Sequence, residues 1–99
     1  MTVTDTEDIL TKLRELKPII TARYKVKEIG LFGSVVRGEQ SQTSDIDVLV
    51  EFEEDADLFD FTGLNLYLED VLQREVDVVP KRALRAESRE MVLREVVTL

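Results

Sequence analysis

The chain has 99 residues, which fits one small domain, and we expect that domain to span residues 1–99. It contains no cysteine and no histidine, so disulfides, thiolate and imidazole metal sites and Ser-His-Asp catalysis are excluded. A net charge of −8 disfavours direct nucleic-acid binding, because that binding depends on cationic contacts to phosphate. Any catalysis must therefore use carboxylates, hydroxyls, Lys or Arg, or bound hard metal ions.

The sequence contains neither a long apolar span nor the pattern of a targeting signal. No apolar run approaches the ~20 residues that a membrane-spanning helix needs. The first ten residues, MTVTDTEDIL, are acidic and polar, which is untypical of a secretory or transit signal. We therefore expect a cytoplasmic protein with no membrane partner.

The first predicted element is a helix over residues 4–24. Thr4 and Glu7 match the capping-box pattern at its start. Its apolar side chains recur every three or four residues and form one buried stripe, namely Ile9, Leu13, Leu16 and Ile20. Pro18 interrupts this pattern, so the helix should either kink there or restart with Pro18 in its first turn.

Two strands joined by a turn and a polar loop follow. Residues 26–32 are rich in β-forming types and predict the first strand. Residues 33–38 predict a turn, in which a short helix could start at Ser34, and residues 39–44 predict a polar loop. Residues 45–51 alternate between apolar and mostly acidic side chains, which is typical of a second strand.

The second half of the chain predicts a helix, a strand and a further helix. An acidic linker over residues 53–57 leads into a helix over residues 58–73, with Asp57 as its N-cap and Gly63 as a weak point. Residues 75–79 predict a third strand that stops at Pro80. Residues 81–94 predict one helix, and the ending EVVTL fits either a frayed helix or a short strand.

This order of elements predicts an α/β (α+β) domain with a mixed sheet of three or more strands flanked by helices. The first two strands could pair antiparallel. The helix after the second strand is long enough to bring the third strand back parallel to it.

Asp45 and Asp47 are the first candidate functional residues. Residues at i and i+2 of a strand point to the same face, so these carboxylates lie side by side, about 7 Å apart at Cα. Two such carboxylates repel unless protons or cations compensate, and Mg²⁺ prefers oxygen ligands of this kind. The alternative is that both belong to the solvated face of a half-exposed strand.

Gly33, Ser34 and Asp77 could join the same site. A Gly-Ser turn after a strand allows close approach of a phosphate to backbone N–H groups and a hydroxyl, although it is also an ordinary turn. Asp77 stands alone among valines in the third strand. If that strand pairs beside the second, Asp77 joins Asp45 and Asp47; otherwise it is an exposed position or a partner for Arg74.

The combination resembles a known family of enzymes. Its signature lies in LFGSVVRG over residues 31–38, SDIDVLV over residues 44–50 and VDVV over residues 76–79. These segments resemble the nucleotidyltransferase superfamily typified by DNA polymerase β and, within it, the minimal nucleotidyltransferase family of small bacterial and archaeal proteins. The leading helix and the LREVV segment near the C-terminus are also similar to that family.

The resemblance implies a role for each candidate residue. Gly33 and Ser34 would bind the triphosphate of ATP, Asp45 and Asp47 would hold two Mg²⁺ ions, and Asp77 would complete the metal site near the attacking hydroxyl. The reaction would transfer a nucleoside monophosphate to a hydroxyl and release pyrophosphate. Arg37 could reach a phosphate, or it could be a solvated loop arginine.

The resemblance also implies a partner. Many members of the family are antitoxins of a helical HEPN-domain RNase toxin, and they silence it by transferring AMP to a tyrosine. Two alternatives remain: transfer to a small molecule such as an aminoglycoside, and inhibition of the partner by contact alone. The sequence carries no helical acceptor-binding domain, which counts against the first, and its intact set of aspartates counts against the second.

Two charged segments complete the candidates. Four cations that follow the third strand could meet triphosphate or an acidic patch of a partner, or could form a solvated face: Lys81, Arg82, Arg85 and Arg89. The acidic run over residues 51–60 could face a basic toxin or could be a solvated linker.

Overall fold

The computed structural model describes residues 6–38 and 45–99. Four α-helices, four strands and one short 3₁₀ helix alternate along these ranges. In chain order they are α1 (Thr6–Tyr24), β1 (Val26–Phe32), α2 (Ser34–Arg37), β2 (Ile46–Phe52), α3 (Leu58–Leu72), β3 (Val76–Pro80), the 3₁₀ helix (Lys81–Ala83), α4 (Ala86–Glu95) and β4 (Val97–Thr98).

The four strands form one mixed sheet in the order β3-β2-β1-β4. β1 pairs antiparallel with β2 and with β4, whereas β2 and β3 are parallel. The predicted fold class and both predicted strand pairings are therefore confirmed. The C-terminal EVVTL segment contains a short strand, since Val97 pairs with Leu31 and Thr98 with Gly30.

The sheet has one face covered by helices and one face that carries the acidic side chains. Ile46, Val48 and Val50 of β2 are fully buried in the main core. The buried stripes of α1 and α3 pack into the same core: Ile9, Leu13 and Ile20 from α1, and Leu64, Leu68 and Leu72 from α3. Because side chains alternate along a strand, Asp47 and Glu51 point to the opposite face of the sheet.

The start of α3 follows the predicted capping. Asp57 is the N-cap, and its Oδ1 accepts a hydrogen bond of 3.1 Å from the Asp60 N–H. Asp60 Oδ2 accepts from the Asp57 N–H at 3.0 Å, which completes a capping box. The unfavourable Gly63 in this helix has a packing reason, because an added Cβ there would lie 3.0 Å from the Tyr24 ring.

The structure corrects the predicted helix over residues 81–94. The chain forms a 3₁₀ turn at Lys81–Ala83, then extended backbone at Leu84 and Arg85, and α4 begins only at Ala86. The cations clustered before Ala86 disfavour a helix N-terminus there, since they oppose the helix dipole. Ala86 starts the helix beyond most of these charges.

The predicted first helix forms as one continuous element with Pro18 inside it, so it does not restart at that residue. The predicted capping box at its start includes Thr4, and the loop over residues 39–44 was also predicted; both lie outside the described residues. Among the helices of residues 6–38 and 45–99, none is long and apolar enough to cross a bilayer.

β3 is an edge strand whose outward N–H groups are bonded to side chains of α3. Glu69 Oε2 accepts from the Val76 N–H at 3.2 Å, and Asn65 Oδ1 accepts from the Val78 N–H at 3.2 Å. These two bonds tie the strand to the preceding helix on either side of Asp77 in the sequence.

Candidate active site

The parallel pairing of β2 and β3 brings two of the predicted aspartates together. Asp47 and Asp77 are direct partners in the register, so their Cα atoms are separated by about one strand spacing, ~4.8 Å. Asp45 immediately precedes β2, two residues before Asp47. Val76 and Val78 are buried, so Asp77 points away from the core, as Asp47 does.

The Gly33 turn lies against the Asp47 carboxyl group. Gly33 has φ +79°, a backbone conformation that side chains rarely allow. An added Cβ would overlap Asp47 Oδ2 and lie 3.1 Å from Asp47 Cγ, so any other residue at this position would displace the Asp47 carboxyl group. Ser34 follows as the first residue of α2, and the structure therefore places the predicted Gly-Ser turn directly beside Asp47, one of the three predicted metal ligands.

Electrostatics in this cluster are unfavourable for an ionised Asp47. Burial raises the pKa of Asp47 above its usual value of 3.8, and the carboxylates of Asp77 and Asp45 raise it further. Arg37 lowers this pKa, and Glu95 raises it. A bound cation would offset this repulsion, which is why such clusters commonly accompany divalent metal ions.

Glu95 is a site residue that the sequence analysis did not identify. Its Oε1 atom accepts a hydrogen bond of 2.7 Å from the Gly33 N–H and one of 2.8 Å from Arg37 Nη1. Arg37 therefore forms an ion pair and is not a purely solvated loop arginine. The available sequence signal was weak: a glutamate in the last turn of α4 opposes the helix dipole and so has no reason in helix propensity.

The donors of this cluster suit a hard metal ion by chemistry, because carboxylate oxygen is the ligand that Mg²⁺ prefers. Within residues 6–38 and 45–99, however, no three acidic side chains are grouped closely enough to form a ready metal site. Asp45, Asp47 and Asp77 are the carboxylates that would hold such an ion.

The predicted basic cluster lies away from the aspartates. Lys81, Arg82 and Arg89 line a cavity of about 300 Å³ at the carboxyl ends of β2 and β3, where Lys81 Nζ is 3.9 Å from Glu51 Oε1. Glu51 stands four residues beyond Asp47, ~13 Å along the strand. Arg85 does not line this cavity. These cations are therefore not adjacent to the predicted metal ligands.

Comparison with known proteins gives the same family as the site. Residues 13–98 match the Nucleotidyltransferase domain family. The protein adenylyltransferase MntA of Thermococcus cleftensis is 47% identical over 92 residues, which cover 86% of this chain and 93% of that protein. The chain therefore belongs to the nucleotidyltransferase domain family, and the predicted enzyme class is confirmed.

Solved structures agree with this assignment. One described as a candidate minimal nucleotidyltransferase superposes with a TM-score of 0.87 at 38% identity, and the match covers both chains completely. A toxin–antitoxin structure with AMP-PNP superposes with a TM-score of 0.66 at 28% identity, covering 94% of this chain and 70% of that one. Another, of an MntA toxin–antitoxin variant, has a TM-score of 0.66 at 26% identity.

Proposed function

We propose that this chain is a Mg²⁺-dependent protein adenylyltransferase that acts as an antitoxin in the cytoplasm. It transfers AMP from ATP to a tyrosine hydroxyl of a helical HEPN toxin. The observation that carries the proposal is the direct register of Asp47 and Asp77 beside the Gly33 turn. Its likeness to a protein adenylyltransferase and to toxin–antitoxin structures supports the acceptor class and the partner.

The chemistry is an in-line displacement at the α-phosphorus of ATP. The acceptor hydroxyl loses its proton to water, its oxygen forms a bond to that phosphorus, the bond to the oxygen bridging the α- and β-phosphates breaks, and pyrophosphate leaves. Two Mg²⁺ ions held by Asp45, Asp47 and Asp77 would neutralise the charge that builds on the phosphate oxygens.

The residues of this chain supply position. The Gly33–Ser34 turn would receive the phosphates beside Asp47, and the absence of a Cβ at Gly33 lets the Asp47 carboxyl group lie directly against that turn. Asp77, on the edge strand beside Asp47, would complete the metal site near the attacking hydroxyl. Strand backbones fix these groups, and most of the rate gain would come from this alignment and from charge neutralisation.

The cavity lined by Lys81, Arg82 and Arg89, called the cationic cavity below, would bind the partner protein. Lys81, Arg82 and Arg89 would contact an acidic patch of the toxin at a distance from the nucleotide. The acidic linker over residues 53–57 is exposed except at Ala56 and could meet a basic patch of the same partner.

The first test is the intact mass of the protein encoded beside this chain, after incubation with this chain, ATP and Mg²⁺. We expect added AMP with the wild type and at least ~100-fold slower addition with Asp45→Asn/Asp47→Asn. Asp70→Asn is the matched control, because Asp70 is exposed on α3, outside both the acidic linker and the candidate site. An unchanged partner mass together with a stable complex would refute catalysis and leave inhibition by contact.

A further inference from the structure

The C-terminal end of α4 is tied to both ends of the Gly33–Arg37 segment. Glu95 Oε1 accepts from the Gly33 N–H at the start of that segment and from the Arg37 guanidinium at its end. One oxygen atom therefore bridges the two limits of the turn and of α2. The Glu95 side chain is only 19% exposed, whereas Glu90 on the same helix is 81% exposed.

Glu95 is itself held on a rigid support. The Val96 N–H donates to Val92 O at 2.9 Å, which closes α4 directly after Glu95. Val97 and Thr98 then pair with Leu31 and Gly30 of β1, the strand that leads into Gly33. The carboxylate and the turn that it holds are therefore anchored to the same strand.

We propose that Glu95 is a positioning residue for nucleotide binding. It fixes the Gly33–Ser34 turn and the Arg37 side chain in the arrangement that receives the phosphates. This inference rests on the proposed function, since it concerns how the same site binds ATP. Glu95 acts through Gly33 and Arg37 and does not itself touch the nucleotide.

The charge of Glu95 is part of the inference. A carboxylate at a helix C-terminus opposes the dipole, and this one also lies in the electrostatic field of Asp47. A glutamine amide at position 95 could accept from the Gly33 N–H without the repulsion from the helix dipole and from Asp47. What the carboxylate adds is the charge-assisted bond to Arg37, which is stronger than a neutral bond. Arg37 is thereby oriented before ATP arrives.

The test measures binding of AMP-PNP with Mg²⁺ by titration calorimetry, at a temperature where circular dichroism shows every variant folded. Glu95→Gln should raise Kd about tenfold, because the charge-assisted bond to Arg37 is lost. Glu90→Gln is the matched control: it breaks an Arg–Glu contact of 2.7 Å on the same helix, to Arg94, in an exposed position. We expect its Kd to equal that of the wild type.

A double-mutant cycle tests whether Glu95 affects nucleotide binding through Arg37. If Glu95 works through Arg37, then Arg37→Gln/Glu95→Gln should bind AMP-PNP no more weakly than Arg37→Gln alone. Independent, additive losses would overturn that route.

Three further outcomes of the binding measurement would overturn the proposal. A Glu95→Gln variant that binds AMP-PNP like the wild type would reduce Glu95 to a structural contact. Tighter binding by the same variant would mean that the carboxylate competes with phosphate for Gly33 and Arg37, which is the opposite of positioning. Absence of binding by the wild type would refute the nucleotide site, and with it the proposed function as well as this inference.

Discussion

At the scale of single residues, Asp47 is expected to lower the stability of the fold at neutral pH while serving the proposed activity. Burial raises the pKa of its carboxyl group, and the neighbouring carboxylates of Asp77 and Asp45 raise it further. The folded state therefore binds the Asp47 proton more tightly than the unfolded chain does. Stability contributed by this group is present at low pH and falls as pH rises from about 3.8 through the folded-state pKa.

Replacement of Asp47 by Asn should therefore stabilise the protein at neutral pH while abolishing AMP transfer. Thermal unfolding followed from about pH 4 to pH 7 should give a higher Tm for Asp47→Asn at the upper end and a smaller gap at the lower end. Added Mg²⁺ should raise the Tm of the wild type and not that of the variant. Asp55→Asn serves as the surface control. A wild-type Tm that changes neither with pH nor with added Mg²⁺ would contradict the expected repulsion among these carboxylates.

The same residues explain what the sequence could predict about the site. Gly33, Ser34, Asp45 and Asp47 follow local patterns of strand and turn, and the parallel pairing of β3 adds Asp77 as expected. Glu95 was missed because it meets Gly33 and Arg37 across 62 and 58 residues. Sequence periodicity cannot predict this contact, because the contact depends on where the C-terminal end of α4 lies relative to the sheet.

At the scale of secondary-structure elements, the sequence predicts the bounds of an element correctly where capping or turn residues lie at its ends. β1 forms over the predicted residues, and α3 begins at its predicted cap, Asp57. The helix predicted over residues 81–94 forms only from Ala86, because its predicted first part lies at the rim of the cavity lined by Lys81 and Arg82, where tertiary position overrides a modest helix propensity. The final strand could not be decided from sequence, since its pairing with β1 is long-range.

The edge strand β3 yields a prediction at this scale. Asn65→Ala removes the acceptor of the Val78 N–H, and we expect a loss of about 1 kcal/mol in the free energy of unfolding by urea. Leu66→Ala at the neighbouring exposed position should cost much less. AMP transfer should also slow for Asn65→Ala, because Val78 follows Asp77 directly. Equal stability of both variants would show that the side-chain bond does not hold this strand.

At the scale of the whole molecule, charge is distributed unevenly. The chain carries a net charge of −8, yet Lys81, Arg82 and Arg89 converge on one cavity at the carboxyl ends of β2 and β3. The aspartates of the candidate site lie toward the amino ends of the same strands. Nucleotide chemistry and partner recognition would therefore use separate regions of one sheet, so each can be changed without changing the other.

Charge reversal in the cavity tests this separation. Arg82→Glu and Arg89→Glu should each weaken binding of the protein encoded beside this chain, by about tenfold at low salt and by less at high salt, because ions screen surface charges. Binding of AMP-PNP with Mg²⁺ should stay at the wild-type level in both variants. Arg14→Glu, an exposed position on α1, is the control for the change in net charge. If all three variants weaken the complex equally, net charge and not the cavity directs the partner; if AMP-PNP binding falls with the cavity variants, the cations belong to the nucleotide site after all.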